Sequence, residues 1–404
     1  MTNVPKIRFN GFTGDWKQRR LGEIFAIIDG DRGANYPSDV EFFTKGQTLF
    51  LDTKNVRVDG FRFATTKYIS QEKDEILRSG KLETHDFVMT SRGTLGNVAY
   101  YGTDIAKEHP SVRINSAKLI LRPALHSEVS DAYMLSVFRG RLITDFMQRK
   151  QVGSAQPHIT KRDFSDLLVS MPMDICEQNI IGTLFSTLDT TIVAHNRKLE
   201  GLQKLKKAYL QVMFPQAGEV VPRVRFERFT RDWSEKRICD IFDVTRGQVL
   251  AATKVSIKRD SENIYPVYSS QTKNGGLLGY YNECLFDTAI TWTTDGANAG
   301  TVNFREGKFY STNVNGVLLS KEGYANRCTA EALNMVAWRY VSRVGNPKLM
   351  NNIMSEIKIM IPSFNEQIAI GDFFYNLDMQ ISSQSEKVEK LKQIKSSYLQ
   401  KMFV

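Results

Sequence analysis

Four cysteines and five histidines are spread thinly over 404 residues. Cys176, Cys239, Cys284 and Cys328 lie far apart with no Cys-x-x-Cys pair, and the histidines show no metal-ligand spacing. A disulfide framework and a zinc site, which need close ligand spacing, are both disfavoured. No uninterrupted apolar run approaches the ~20 residues that span a bilayer. The opening residues, MTNVPKIRFNGFTGDW, lack the apolar core of a signal peptide, so a cytoplasmic location is expected. Low-complexity tracts and long like-charge blocks are missing too. There is no G-x-x-x-x-G-K-[ST] phosphate loop, no glycine-rich strand-to-helix fingerprint for a nucleotide cofactor and no N-P-P-[YF] signature of amino-group methylation. Asp52-Thr53-Lys54 and Glu356-Ile357-Lys358 have a nuclease-like carboxylate-x-lysine spacing but no second placed carboxylate. The chain is expected to be non-catalytic, with no metal and no cofactor of its own.

What is present is written twice. KIRFNGFTGDWKQRRLGEIF at 6–25 returns as RVRFERFTRDWSEKRICDIF at 223–242. EQNIIGTLFSTLDTTIVAHNRKLEGLQKLKKAYLQVMF at 177–214 returns as EQIAIGDFFYNLDMQISSQSEKVEKLKQIKSSYLQKMF at 366–403. The order is head, variable region, helix, then the same again, which predicts two similar binding surfaces whose ligands can differ. A chain of this length exceeds one hydrophobic core. The expected segments are a globular domain at 1–175, a long helix at 176–214, a second domain at 215–362 and a second long helix at 363–404. The net charge is +10. Each globular segment carries +4 (25 basic against 21 acidic, then 19 against 15), and the second helix is neutral. Basic globular units joined by near-neutral helices suit domains that meet a polyanion.

The helical segments carry a heptad seam over about five heptads, the pattern of a coiled coil. Its positions are Ile181, Phe185, Leu188, Ile192, His195, Leu199, Leu202, Lys206, Tyr209 and Met213. In the second copy they are Ile370, Phe374, Leu377, Ile381, Gln384, Val388, Leu391, Lys395, Tyr398 and Met402. Both copies are polar at the same two places, His195 with Gln384 and Lys206 with Lys395, and polar seam residues fix register. Each helix spans roughly 55–57 Å. Antiparallel pairing, with the domains at opposite ends, makes the pair a ruler. Arg197, Lys204, Lys207, Lys387, Lys390 and Lys392 face outward, toward a partner or water.

Each globular segment reads as α+β, a mostly antiparallel sheet followed by helices. The aromatics of the repeated R-F-x-x-F-T-x-D-W head anchor the first turn in the core. Several loops have the chemistry of groove readers. Ser91, Arg92, Gly93, Thr94 and Asn97 follow the strand Phe87-Val88-Met89, and Arg92 suits a phosphate or a guanine edge. The matching run holds Thr294 and Asn298, an amide that suits adenine. Ser270, Gln271, Thr272, Lys273 and Asn274 form a stretch rich in amide and hydroxyl groups. Arg113 and Asn115 match Asn313 and Asn315. Ser154, Gln156 and His158 precede the strand-like FSDLLVSMP. Each such loop also suits a solvated turn; their matched placement in two basic domains raises the set.

In this order these features resemble the specificity subunit of type I restriction–modification systems, across essentially the whole chain. The carriers are the duplication, the G-S-x-Q-P-x-I run at 153–159, the P-x(n)-E-Q-x-x-I runs at Pro172/Glu177-Gln178 and Pro362/Glu366-Gln367, and the Y-L-Q-x-M-F ends at 209–214 and 398–403. The resemblance implies two target-recognition domains, each reading half of a bipartite, asymmetric double-stranded DNA sequence. It implies two pseudo-symmetric α+β domains separated by two long helices in an antiparallel coiled coil. It implies docking of two methyltransferase subunits and of restriction and translocase subunits, which supply the chemistry with S-adenosylmethionine, ATP and magnesium. With both domains on one face of the duplex, half-site centres lie ~34–36 Å apart and the unread spacer is roughly six to seven base pairs. The second tail, Gly345-Asn346-Pro347-Lys348, departs from the S-x-Q-P-x-I of the first, so contacts of Ser154, Gln156 or His158 do not transfer. A standalone DNA-binding regulator shares the basic domains and the coiled coil and is the alternative.

Overall fold

The computed structural model describes residues 4–125, 127–150, 158–216, 218–271 and 273–403. They form two compact units, Met1–His195 with Lys387–Val404, and Asn196–Glu386. Each unit therefore contains a globular part, the start of the long helix that follows it and the end of the other long helix.

In the first unit the head strand Lys17–Arg20 pairs antiparallel with Leu168–Met171, the strand just before the long helix. The central sheet is antiparallel, in the order Phe25–Asp29, Lys118–Pro123, Asp86–Thr90, Val98–Tyr101. Beside it, Thr48–Leu51 pairs parallel with Val112–Ile114. Apolar residues line both faces of the sheet, as expected for strands covered on both sides. One face meets helices Asp131–Phe138 and Arg141–Lys150 through Phe25, Phe87, Tyr133 and Phe138, and the other packs Val88, Ala99 and Ile120 against Leu51 and Ile114.

The second unit repeats this plan. Ser234–Arg237 pairs with Lys358–Ile361. Four strands run in the corresponding order, Asp243–Arg246, Asn315–Leu319, Phe286–Thr293, Val302–Ser311. The sheet continues into Tyr265–Tyr268, parallel to the end of Val302–Ser311, and then Leu277–Tyr281. Helix Arg327–Ala337 covers one face, its Leu333 buried against Ile290, Trp292 and Leu318 of the sheet. The head tryptophans Trp16 and Trp233 are buried in their cores, as the sequence predicts, while Phe9, Phe12, Phe226 and Phe229 are only half-buried.

The long helices run Ile175–Val212 and Phe364–Lys401, and Pro215 stops the first. In each unit the two helical stretches run antiparallel. Phe185 meets Phe403 and Asp189 meets Lys395 in the first; Lys206 meets Asp378 and Tyr209 meets Phe373 in the second. The seam residues are buried or half-buried at every position, and the outward lysines and Arg197 are exposed. The seam is also more than a helix pair. Ile181 and Phe185 belong to the first core with Met402, and Ile370 and Phe374 join Met213, Phe214 and Trp233. No helix among the described residues is long and apolar enough to cross a membrane.

Candidate nucleic-acid interface

One end of each central sheet carries the same backbone frame. In the first unit Thr90 N–H donates to Asn97 O at 3.0 Å and Gly96 N–H to Thr90 O at 2.9 Å, closing a hairpin. Ser91 N–H donates to Ala117 O at 2.8 Å, and Ile159 N–H reaches Ser91 O at 3.1 Å, so the segment around 159 straps the hairpin down. In the second unit Thr293 N–H donates to Thr301 O at 3.0 Å and Gly300 N–H to Thr293 O at 2.9 Å. Thr294 N–H reaches Val314 O at 3.0 Å, and Leu349 N–H reaches Thr294 O at 2.9 Å. The departing second tail thus keeps the strap without the S-x-Q-P residues, because main-chain groups make it.

What the frame displays differs. At the first hairpin tip Arg92, Gly93 and Thr94 are exposed, and the Arg92 guanidinium makes no ion pair among the described residues. Asn97 is half-buried and donates to Val56 O at 3.3 Å. Ser91 is buried, and its main chain is spent on the frame. His158 is exposed on the strap; Ser154 and Gln156 lie outside the described residues. At the second tip Asp295 sits between Arg246 Nη2 at 3.3 Å and Lys348 Nζ at 3.8 Å. Asn298 is half-buried and donates to Ser270 O at 3.4 Å. Thr294 is buried, its hydroxyl bonded to Val314 O at 2.9 Å. Asn313 is exposed, and its carbonyl accepts from Arg246 Nε at 2.6 Å. Gln271 and Asn274 are exposed and Ser270 half-buried on the neighbouring loop; Thr272 and the Lys273 side chain lie outside the described residues.

Three expected contact residues face inward. Arg113 is a correction. Its guanidinium forms a buried ion pair with Asp74 and donates to Ser79 O at 2.8 Å, Asp74 O at 2.7 Å and Leu77 O at 3.0 Å. Strand alternation turns Arg113 to the face opposite Val112 and Ile114; that face is covered too, and an internal carboxylate receives it there. Asn115 turns its Oδ1 to Ala117 N–H at 3.1 Å and Lys118 Nζ at 2.9 Å, holding the loop below the tip. Asn315 is buried beneath the second hairpin. The carboxylate-x-lysine pairs are structural: Asp52 accepts from Thr53 N–H as a cap, and Lys358 bonds Glu235 at 2.8 Å across the edge ladder.

The structure also supplies basic groups that the sequence reading passed over. Arg246 ends the first strand of the second sheet beside the hairpin. Arg32, just beyond the matching strand of the first unit, bonds Ser116 O at 3.4 Å, the counterpart of the Asn313 carbonyl. Gly30 and Gly247 mark both places. A Cβ there would lie 2.4 Å from Asn115 O and 2.2 Å from Thr312 O respectively, so the crossing of the first strand under the loop needs glycine. That glycine beside arginine, Gly30-Asp31-Arg32 and Arg246-Gly247, was the available signal. Lys118 is fully buried, and burial pulls it down to about 8 against the field of Asp52. Arg305 is buried in the second unit and likewise pulled down, to about 10. Cationic groups and exposed amides gathered on matched loops can hold phosphates and read base edges.

Comparison with known proteins bears on the same two segments. Residues 13–204 and 230–395 match the family described as Type I restriction modification DNA specificity domain. A Mycoplasma pneumoniae chain bearing the name of a type I specificity subunit is 37% identical over 218 residues, 51% of this chain and 82% of its own length. The specificity subunit of the type I restriction enzyme MpnII from the same organism is 36% identical over 143 residues, 34% of this chain and 42% of that one. A crystal structure of a type I restriction–modification S subunit from M. genitalium has the same fold, with a TM-score of 0.70 at 16% identity over 99% of each chain. The duplicated frame and the family match over both copies lead to one conclusion: this chain belongs to the type I restriction–modification DNA specificity family.

Proposed function

We propose that the chain reads a bipartite, asymmetric double-stranded DNA target, one unit per half-site, and performs no chemistry itself. The observation that carries this reading is the matched hairpin frame with different side chains on it. Arg92 and Thr94 stand at one tip, and Asp295, held by Arg246 and Lys348, stands at the other. A fixed scaffold with exchanged tips is what two unlike half-sites require. Lysines and arginines give affinity and register through phosphates; the exposed polar groups, with His158, Gln271 and Asn313 among them, select bases. The long helices set an unread spacer of roughly six to seven base pairs. They also offer exposed faces to two methyltransferase subunits, and through these to restriction and translocase subunits. S-adenosylmethionine, ATP and magnesium belong to those partners, and the assembly is cytoplasmic.

The test is co-purification of the full chain with the methyltransferase subunit, followed by mapping of methylated adenines on genomic DNA. Two methyltransferases per chain and a split methylated motif are expected. A contiguous motif would overturn the one-unit-per-half reading. Sequence-specific binding by the chain without any such complex would point to a standalone regulator, and methylation or cleavage by the chain alone would refute the non-catalytic assignment.

A further inference from the structure

The two units fill the same sheet face with opposite chemistry. In the first, Val88 pairs with Ala99 and Ile120, and these pack with Leu51, Tyr101 and Ile114 into an apolar core. At the matching ladder positions the second unit has Thr291 paired with Asn303 and Val317. Arg305 stands where the first unit has Tyr101, and Asn315 where it has Lys118. The result is a recess of about 50 Å3 lined by Ser269, Gln271, Thr293, Asn303, Arg305 and Asn315, among others, with no acidic residue in the lining.

Arg305 is built into this recess. It is 7% exposed. Its guanidinium lies 3.8 Å over the ring of Tyr268, and Nε donates to Thr291 Oγ1 at 3.1 Å. Gly276 closes the loop over it: φ is +89°, and a Cβ would meet Ser269 O at 2.8 Å and Arg305 Nη2 at 3.2 Å. The groups facing the guanidinium are neutral, and no carboxylate pairs with it among the described residues. A buried cation without an anion is costly. Lys118 of the first unit shows the self-contained solution, with internal acceptors at Leu51 O, 3.0 Å, and Asn115 Oδ1, 2.9 Å.

We propose that the recess around Arg305 is an oxyanion site that takes one phosphate group, supplied by the backbone of the DNA bound to the second unit. The source of the anion rests on the DNA reading; the oxyanion chemistry does not. A planar guanidinium with hydroxyl and amide donors around it matches a tetrahedral oxyanion. The volume is far below the roughly 300–1,000 Å3 of pockets that enclose drug-sized ligands.

The experiment titrates the full-length chain with inorganic phosphate by calorimetry at constant ionic strength, with chloride as the control. Arg305→Gln weakens phosphate binding by about ten-fold or more, and Arg305→Lys falls between it and the wild type. Circular dichroism checks folding. If Arg305→Gln does not fold, Thr293→Val, which keeps the shape and removes one donor, decides, with about three-fold weaker binding expected. Phosphate binding equal in variant and wild type, or no preference for phosphate over chloride, overturns the site. A duplex that displaces phosphate from the wild type supports the DNA source. A duplex that binds without displacing it overturns that source and leaves a free-phosphate site. A chain that binds phosphate and no duplex refutes the DNA reading alone.

Discussion

The ammonium of Lys206 sits 2.8 Å from both carboxylate oxygens of Asp378. Lys395 and Asp189 repeat the pair in the other unit, so the two polar seam lysines each lock the end of one helix to the start of the other. Burial opposes the charge on Lys206, but Glu331 and Asp378 outweigh it and hold the lysine above its ordinary value. Lys206→Met removes the cation and leaves Glu331 and Asp378 without it. A loss of ~1–3 kcal/mol in urea unfolding is expected, and a double-mutant cycle with Asp378→Asn should give a coupling above about 0.5 kcal/mol. Additive losses would deny the pair a role in helix register.

Arg8 grips Glu177 through bonds of 2.6 and 2.7 Å, and Arg225 grips Glu366 through two of 2.7 Å. Both glutamates are buried at the first turn of a long helix, where a carboxylate also favours the helix dipole. Arg8→Ala leaves Glu177 buried and unpaired, and ~3–5 kcal/mol of stability should be lost. Replacing both partners by leucine should cost less than Arg8→Ala alone. Chemical denaturation of the three variants checks this ordering.

Lys118 gives a pH signature. Burial lowers it to about 8 in the folded chain, against about 10.4 for a free lysine. Between these values the unfolded chain binds more protons than the folded one, so stability rises with pH. The penalty is full below about pH 8 and is relieved as pH climbs toward 10. The wild type should therefore gain up to roughly 3 kcal/mol over that window relative to Lys118→Met. Parallel stability curves for the two proteins would show that Lys118 is not buried as a cation.

Arg92 and Arg113 should separate binding from folding. Arg92→Ala at an exposed tip should leave the melting temperature within about 1 °C and weaken DNA binding, altering the first half-site alone. Arg113→Ala leaves Asp74 with Lys81 as its remaining partner and takes the donor from the buried Asp74 and Leu77 carbonyls; stability should fall by ~1–3 kcal/mol without rewriting either half-site. Thermal melts, together with methylated-motif mapping, distinguish the two.

Much of this architecture was legible in the chain. The duplication gave two units of one plan. The heptad spacing gave two long helices with a shared seam, because i, i+3/i+4 periodicity is a local property that sequence displays directly. The loops at the ends of the two sheets were legible as loops, but which of their side chains are exposed was not. Arg113 looked like a surface cation because nothing in Ser-Val-Arg-Ile-Asn reveals that Asp74, far away in sequence, waits inside. Arg32 and Arg246 were passed over because they precede the loops they serve, and only strand pairing brings them together.

The sequence by itself determined the repeat, the helix spacing and the positions of hairpins and glycines, since these follow from local propensity and periodicity. Tertiary structure decided which polar side chains face solvent, which carry the main-chain frame and which are buried with partners. Those fates depend on groups distant in the chain. The apolar face at Val88 and Ala99 and the polar recess at Thr291, Asn303 and Arg305 occupy one place in a common fold; strand register alone reveals that they are the same place.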